Sequence, residues 1–183
     1  FPMKGTRPRA SDLIKDELLK IELHKSEKDR AEHLMIVDLI RNDIGKICNY
    51  GSVNVEDLYD IKTFETVHQM VSKVYGKLSS NIKEIEIIRA MFPGGSITGA
   101  PKESSMKIID SLESYDREIY TGGIGYIDQQ SNMYFNIAIR TMIAQNDILN
   151  YSVGGGIVWD SIASQELDEA HLKSKILDKF ITN

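Results

Sequence analysis

The segment Asp29–Gly45 reads DRAEHLMIVDLIRNDIG and is the strongest fold signal in the chain. It belongs to a predicted helix from about Ser26 to about Lys46, which opens with a residue of the N-cap type and ends near a glycine. The middle of this helix, Leu34–Val37, is apolar on all sides. A helix with that pattern is buried, so its polar members carry information about chemistry.

Two acidic pairs lie on helices at a spacing of three residues. Asp29 and Glu32 share a face of the first helix, and Glu166 and Glu169 share a face of a second helix, predicted at about Ser161–Ile181. Either pair alone fits a solvated helix, since early acidic residues favour the helix dipole. If the fold brings both pairs together, four carboxylates converge, and a divalent cation is their natural partner. Oxygen ligands without histidine or cysteine indicate Mg2+.

The opening stretch Pro2–Arg9, PMKGTRPR, contains a candidate nucleophile. Lys4 stands between a proline and a Gly-Thr pair. The proline restricts the backbone before the lysine, and the glycine allows the backbone after it to lie close to a ligand. A lysine at such a place is usually only a solvated surface charge. The residues elsewhere in the chain favour the functional interpretation.

The rest of the chain alternates predicted helices and strands, each with the periodicity of its type. The predicted elements are a helix at Asp12–Ile21, strands at Asn54–Phe64 and Val67–Lys77, a helix at Asn81–Phe92, a helix at Lys102–Glu113 that buries Met106, Ile109 and Leu112, and an antiparallel meander of Thr121–Asp128, Met133–Gln145 and Ile148–Val158. The loop Pro93–Lys102, PGGSITGAPK, lacks the Lys-Ser/Thr ending of a P-loop, so nucleotide triphosphate binding is not expected.

Three features of the predicted strands bear on ligand binding. Arg140 shares a face with Asn136 and Ala138 on an apolar strand, where an arginine calls for an anionic partner. Gly154–Gly156 weaken the last strand, so their expected use is to let a ligand approach the backbone closely. His68 lies among apolar strand residues, where a lone histidine is more often a satisfied core residue than a catalytic one.

Composition excludes several function classes. The chain has 183 residues and a net charge of −5 at pH 7 without a basic stripe, so nucleic-acid binding is not expected. No apolar run has the length of a membrane span. The single Cys48 has no partner for a disulfide and no zinc-type spacing, which fits a reducing, cytoplasmic setting. Because the sequence opens Phe-Pro directly in a motif, we expect a fragment of a longer protein.

These motifs resemble the C-terminal part of the chorismate-utilising enzymes, the family of anthranilate synthase component I, aminodeoxychorismate synthase component I and the isochorismate and salicylate synthases. The motifs that carry the resemblance, in order, are KGTRPR (Lys4–Arg9), DRAEHLMIVDLIRNDIG (Asp29–Gly45), VHQMVSKVYG (Val67–Gly76), FPGGSITGAPK (Phe92–Lys102), GGIGYID (Gly122–Asp128), IAIRTM (Ile137–Met142) and GGGIVWDS (Gly154–Ser161). The resemblance implies an α+β fold in which two stacked antiparallel sheets are flanked by helices. Residues 1–183 would then form the C-terminal part of a single chorismate-binding catalytic domain.

The resemblance also implies a role for each matching residue. The metal set would be Glu32 and Glu169 as direct Mg2+ ligands, with Asp29 and Glu166 as supports through water. The metal would hold the ring carboxylate of chorismate. The grip on the enolpyruvyl carboxylate would be formed by Tyr126, Arg140 and the amides of Gly154, Gly155 and Gly156. Gly5 and Thr6 would line the ring, and His68 matches the family's catalytic histidine, which assists departure of the displaced hydroxyl.

Lys4 distinguishes the branches of this family. Similar anthranilate synthases usually have alanine there and add ammonia at C2 of chorismate. Similar aminodeoxychorismate synthases have lysine there. This lysine is proposed to attack C2 covalently before ammonia enters at C4. The product lies on the route to p-aminobenzoate and folate. That chemistry needs a neutral amine, and Arg7 and Arg9 are candidates for a cationic field that favours it. The ammonia would come from a glutamine amidotransferase subunit or fused domain.

Two alternatives stay open. The first is anthranilate synthase component I, because His33 stands where the aminodeoxychorismate branch commonly has asparagine. The second is an inert fragment that keeps only an anion-binding pocket, because the family's upstream half, with a further acidic residue, is not in this sequence. No nucleic acid or membrane is expected as a partner in any of these cases.

Overall fold

The computed structural model describes residues 1–159 and 161–177. The described elements are β1 (Met3–Pro8), α1 (Leu13–Lys25), α2 (Glu27–Gly45), β2 (Asn54–Thr63), β3 (Val67–Tyr75), α3 (Glu84–Met91), α4 (Gly95–Thr98), α5 (Lys102–Leu112), β4 (Gly123–Ile127), β5 (Met133–Ile137), β6 (Met142–Gln145), β7 (Ile148–Tyr151), α6 (Ala163–Ser174) and a 3-10 turn, Lys175–Leu177. They divide into two compact units, Phe1–Leu112 and Glu113–Asn183. Among the described residues, no helix combines the length and the apolar character that a membrane crossing requires.

The first unit is built on an antiparallel sheet with the strand order β1-β3-β2. β2 and β3 form a hairpin, closed where the backbone amide of Phe64 donates to the carbonyl of Val67 at 2.8 Å. β1 lies along the other side of β3, with Met3 opposite Val71. The buried residues of β3 are His68, Met70, Val71, Ser72 and Val74, and Met70 is fully enclosed. The two predicted strands, Asn54–Phe64 and Val67–Lys77, are therefore confirmed as β2 and β3, and the structure shows that they pair.

Helix α2 packs one face against this sheet. Its N-cap is Ser26, as predicted, whose hydroxyl accepts the backbone N–H of Asp29 at 3.2 Å. Ile36 and Val37 are buried, but Leu34 and Met35 are 39% and 48% exposed. The expectation of a helix buried all round is thus wrong for the described residues, because only one side of α2 meets the sheet.

The sheet contains two irregularities that matter for the site. The register of β1 against β3 shifts between Met3 and Thr6, at Gly5, whose φ of +83° lies in the left-handed region. The register of β2 shifts between Glu56 and Asp60. Both shifts give the sheet extra local twist and redirect the side chains around them.

Helix α5 is tied to α2 through a buried carboxylate. Asp43, which is 4% exposed, accepts from the ammonium groups of Lys102 at 2.8 Å and Lys46 at 2.9 Å. The apolar side of α5 is less buried than predicted, since Met106 and Leu112 are 41% and 78% exposed. The lysine that ends the glycine-rich loop is therefore part of a structural ion pair.

The second unit contains two separate antiparallel hairpins, β4-β5 and β6-β7. The predicted single strand Met133–Gln145 is broken between β5 and β6, where Arg140 has a φ of +53°. Gly154–Gly156 follow β7 in irregular backbone instead of lying inside a strand. The predicted three-stranded meander is therefore wrong, because a left-handed residue interrupts its central strand. The predicted helix is confirmed as α6, although its expected end at Ile181 lies outside the described residues.

The fold class is confirmed as α+β with antiparallel sheets. Whether residues 1–183 act as a single domain stays a prediction.

Candidate active site

Lys4 lies on β1 and contacts the first acidic pair of α2. Its Nζ is 3.3 Å from Glu32 Oε2, with the two side chains 44% and 35% exposed. An ion pair this open to solvent adds little stability by itself. The nucleophile candidate and a predicted metal ligand are therefore neighbours in the first unit.

Arg7 binds the other member of that acidic pair. Its Nη2 donates to Asp29 Oδ2 at 3.0 Å, and its Nε donates to Glu22 Oε1 at 2.8 Å. Arg9 in turn pairs with Asp16 at 2.9 Å. Because both arginines are matched by carboxylates, the expected cationic field around the lysine is largely neutralised.

Gly5 allows β1 to lie tightly against the helices. A Cβ at this position would be 3.0 Å from Leu23 Cδ1 and 3.1 Å from Asp29 Oδ1. Its neighbour Thr6 is the register partner of Gln69 on β3. Gly5 thus fixes the separation between the strand and the acidic pair, and the contact of either residue with a substrate ring stays a prediction.

His68 lies on β3 and is 1% exposed. Its Nε2 is 3.0 Å from Asp16 Oδ1, and its Nδ1 is 3.0 Å from the hydroxyl of Thr63. Since an ionised carboxylate only accepts, Nε2 must be the donor towards it. A hydrogen bond from Arg9 and other contacts hold the pKa of Asp16 far below its usual range. Both ring nitrogens are thus engaged, so proton donation from His68 to a substrate stays a prediction that requires one of these bonds to open.

A second buried histidine, His33, was not expected as a site residue. It is fully buried on α2, and its Nε2 lies 2.7 Å from the hydroxyl of Ser72. Burial lowers the pKa of His33, while the backbone of Lys4 opposes that shift. The signal in the sequence was a histidine next to Glu32 in a helix with an apolar middle, which the pattern alone could not distinguish from a core residue.

In the second unit, the residues predicted to hold a carboxylate lie near strand ends. Tyr126 on β4 is 61% exposed and stacks on Tyr134 with ring centroids 5.1 Å apart. Arg140 is exposed and lies in the break between β5 and β6, not on the strand face where Asn136 was expected to accompany it. An exposed guanidinium in a turn can still meet an anion, but the strand-based reason for expecting it was wrong.

The glycine loop of the second unit is held against α6. Lys173 Nζ donates to the carbonyl of Gly154 at 2.8 Å and pairs with Glu169 Oε1 at 2.5 Å. A Cβ on Gly155 would be 3.0 Å from Glu166 Oε2, and that carboxyl accepts the hydroxyl of Ser161 at 2.7 Å through Oε1. The structure thus brings the predicted glycines and the second acidic pair together. Lys173, to which no role was assigned, links them.

Comparison with known proteins identifies the family. A family model described as chorismate binding enzyme matches residues 1–179. The chain belongs to the chorismate-binding enzymes. It is 47% identical over 168 residues to aminodeoxychorismate synthase component 1 of Escherichia coli K12, covering 92% of this chain and 37% of that one. It is 44% identical over 177 residues to anthranilate synthase component 1 of Saccharolobus solfataricus, covering 97% of this chain and 42% of that one.

A solved structure agrees with this family and with the fold. Anthranilate synthase component I from Streptococcus pneumoniae matches with a TM-score of 0.81 at 36% identity, over 95% of this chain and 41% of that one. This chorismate-binding enzyme therefore spans about two fifths of the length of these relatives.

The four carboxylates predicted to bind a metal belong to different units of this chorismate-binding enzyme. Asp29 and Glu32 are in the first unit, and Glu166 and Glu169 are in the second. Within residues 1–159 and 161–177, no three His, Cys, Asp or Glu side chains gather as metal ligands. Carboxylate oxygens fit Mg2+ in their chemistry, so each pair offers part of a ligand set. Binding of the ion stays a prediction.

Proposed function

We propose that this protein carries part of the catalytic site of an aminodeoxychorismate synthase component I, which aminates chorismate at C4 with ammonia. The observation that carries the proposal is Lys4. It stands in KGTRPR on β1, its side chain is 44% exposed, and it lies beside the acidic pair of α2. In the family branch that this sequence resembles, a lysine at this place is proposed to be the nucleophile.

The chemistry proposed for Lys4 is a double displacement. The neutral Nζ forms a bond to C2 of chorismate while the ring double bonds shift and the C4–O bond breaks, so that the C4 hydroxyl leaves with a proton as water. Ammonia then forms a bond to C4, the double bonds shift back, and the C2–Nζ bond breaks. The amine is restored and 4-amino-4-deoxychorismate is released.

The other residues would bind and orient the substrate. Glu32 and Glu169, with Asp29 and Glu166 through water, are the proposed holders of Mg2+, and the bound ion would neutralise the ring carboxylate. The proposed grip on the enolpyruvyl carboxylate consists of Tyr126, Arg140 and the amides of Gly154–Gly156, while Gly5 and Thr6 line the ring. His68 is proposed to assist departure of the hydroxyl. The ammonia would come from a glutamine amidotransferase.

The second candidate is anthranilate synthase component I. Two observations favour it: relatives of that name are similar at 44% identity, and His33 occupies a position where that branch often has histidine. In this case ammonia would add at C2 and Lys4 would be a bystander.

Mass spectrometry of the product separates the two candidates. The complete protein is given chorismate, ammonium and Mg2+, and compared with Lys4→Ala and with Lys20→Ala, a control lysine on α1 that pairs with Glu17. We expect 4-amino-4-deoxychorismate from the native protein and the control, and its loss in Lys4→Ala. Formation of anthranilate by the native protein would refute the proposal and support the second candidate.

A further inference from the structure

The candidate nucleophile is held by a closed ring of contacts. Lys4 meets Glu32, which precedes His33 on α2, and the ring of His33 bonds Ser72 on β3. The backbone N–H of Ser72 donates to the carbonyl of Pro2 at 3.1 Å, two residues before Lys4. One buried pair, His33 and Ser72, therefore connects α2 with β3. Through the main-chain bond of Ser72 it also connects with β1, the strand that carries Lys4.

The buried part of this ring sets its geometry. The Lys4–Glu32 ion pair is 44% and 35% exposed, so water competes with it and it constrains the lysine weakly. By contrast, His33 and Ser72 are 0% and 1% exposed, and buried polar groups keep their hydrogen bonds because losing one leaves a desolvated group unpaired. The buried pair thus sets the position of α2 against β3, the strand that pairs with β1.

Two hydrogen bonds meet at the hydroxyl of Ser72. The backbone N–H of Tyr59, at the irregular part of β2, donates to Ser72 Oγ at 3.1 Å. With one hydrogen and two lone pairs, the hydroxyl bonds His33 Nε2 as donor or as acceptor according to the tautomer of the ring, and the 2.7 Å contact exists in either case. Nδ1 is buried and makes no hydrogen bond of ordinary geometry within the described part of the chain.

We propose that His33 is a positioning residue, which through Ser72 fixes the place of Lys4 relative to the acidic pair of α2. This inference rests on the proposed function for its effect on catalysis. The geometric effect on Lys4 does not depend on which product is formed.

The test uses the complete protein with three substitutions and one control. His33→Gln keeps a polar group within reach of Ser72, His33→Leu fills the space without a hydrogen bond, and Ser72→Ala removes the partner with a small change in volume. Val37→Ala is the matched control, because Val37 is 1% exposed on the same face of α2 and forms no part of the ring. Melting temperatures identify how much each substitution destabilises the fold.

Two readouts are compared. The first is kcat and KM for chorismate with ammonium and Mg2+. The second is the NMR resonance of Lys4 after reductive methylation with a 13C label, assigned through its loss in Lys4→Arg. We expect His33→Leu and Ser72→Ala to lower kcat by about tenfold to a hundredfold with little change in KM, and to shift the Lys4 resonance. His33→Gln should restore most of both, and Val37→Ala should lower only the melting temperature.

The outcomes separate this inference from the proposed function. If folded His33→Leu and Ser72→Ala keep the native kcat and the native Lys4 resonance, or if Val37→Ala changes both as much, the positioning role is refuted. If the native protein makes no 4-amino-4-deoxychorismate, the proposed function fails, and the Lys4 resonance still decides whether His33 positions the lysine. Should His33→Leu fail to fold, Ser72→Ala gives the same decision.

Discussion

Replacing Gly5 by alanine tests the close packing of β1 against the helices. Two separate costs are expected. A φ of +83° disfavours any residue with a Cβ, by about 1–2 kcal/mol. The new Cβ would also be 3.0–3.2 Å from atoms of Leu23 and Asp29, and overpacking of this kind adds about 1–3 kcal/mol.

Gly51 provides a matched control. It has a φ of +75°, but a Cβ there would meet nothing within 4 Å. Gly51→Ala should therefore show only the backbone cost of about 1–2 kcal/mol. The difference between the two substitutions isolates the packing against α1 and α2, and we expect it to be about 1–3 kcal/mol.

The assay is urea unfolding of the complete protein, followed by far-UV circular dichroism, with hydrogen exchange of a peptide that covers β1. We expect Gly5→Ala to lower the free energy of unfolding more than Gly51→Ala does, and to increase exchange in β1. Equal losses for the two substitutions would show that strand and helix are not in tight contact at Gly5, and the packing argument would be refuted.

Three further measurements test other parts of the structure. Asp43→Asn should lower the free energy of unfolding by about 1.5–3 kcal/mol, because it weakens the charge-assisted hydrogen bonds that Lys102 and Lys46 donate to a buried carboxylate, whereas Asp38→Asn in the exposed pair with Arg41 should cost less than about 1 kcal/mol; equal urea midpoints would contradict this. The pKa of Asp16 is lowered in the folded state, mainly by a hydrogen bond from Arg9. Its ionised form therefore stabilises the fold at pH values above the unfolded pKa of about 3.9. This contribution is lost as the pH falls below that value. Melting temperatures of Asp16→Asn should then be lower at neutral pH and fall less steeply in acid, and parallel curves for both proteins would exclude the effect. Burial raises the pKa of the Cys48 thiol, so its reaction with Ellman's reagent at mildly alkaline pH should be slower in the folded protein than in urea, and equal rates would count against the burial.

Local signals in the sequence were sufficient for most of the first unit. The N-cap at Ser26 and the strands β2 and β3 depend on neighbouring residues, and all three were predicted within a few positions. The burial of α2 was overestimated, because an apolar run such as Leu34–Val37 does not show how many layers cover it. The number of neighbouring elements that cover a helix is set by the tertiary structure, and the sequence of the helix alone does not determine it.

The second unit shows where periodicity fails. The residues Met133–Gln145 have a continuous strand pattern, yet Arg140 adopts a left-handed conformation and divides them into β5 and β6. A non-glycine residue in that region has no clear sequence signal. The cluster of Lys173, Glu169 and Gly154 also has no clear signal in the sequence. It forms because the loop that contains Gly154 packs against α6.

The candidate site was predicted in its composition more than in its arrangement. The acidic pairs were proposed from a spacing of three, whereas the 3.3 Å contact between Lys4 and Glu32 was found only in the structure. The partnership of His33 with Ser72 joins positions far apart in the chain. Such a pair follows from the strand order and not from any motif.

The strand order also has a consequence for the course of folding. β2 and β3 are joined by a short turn and can pair early, whereas β1 must find β3 across the whole length of α1 and α2. Long-range pairings form late, because the chain must lose conformational entropy to bring distant segments together before their contacts stabilise the fold. We therefore expect the segment with Lys4 to be secured last and released first, so that partial opening of the protein removes the candidate nucleophile while the hairpin and its helices are still intact.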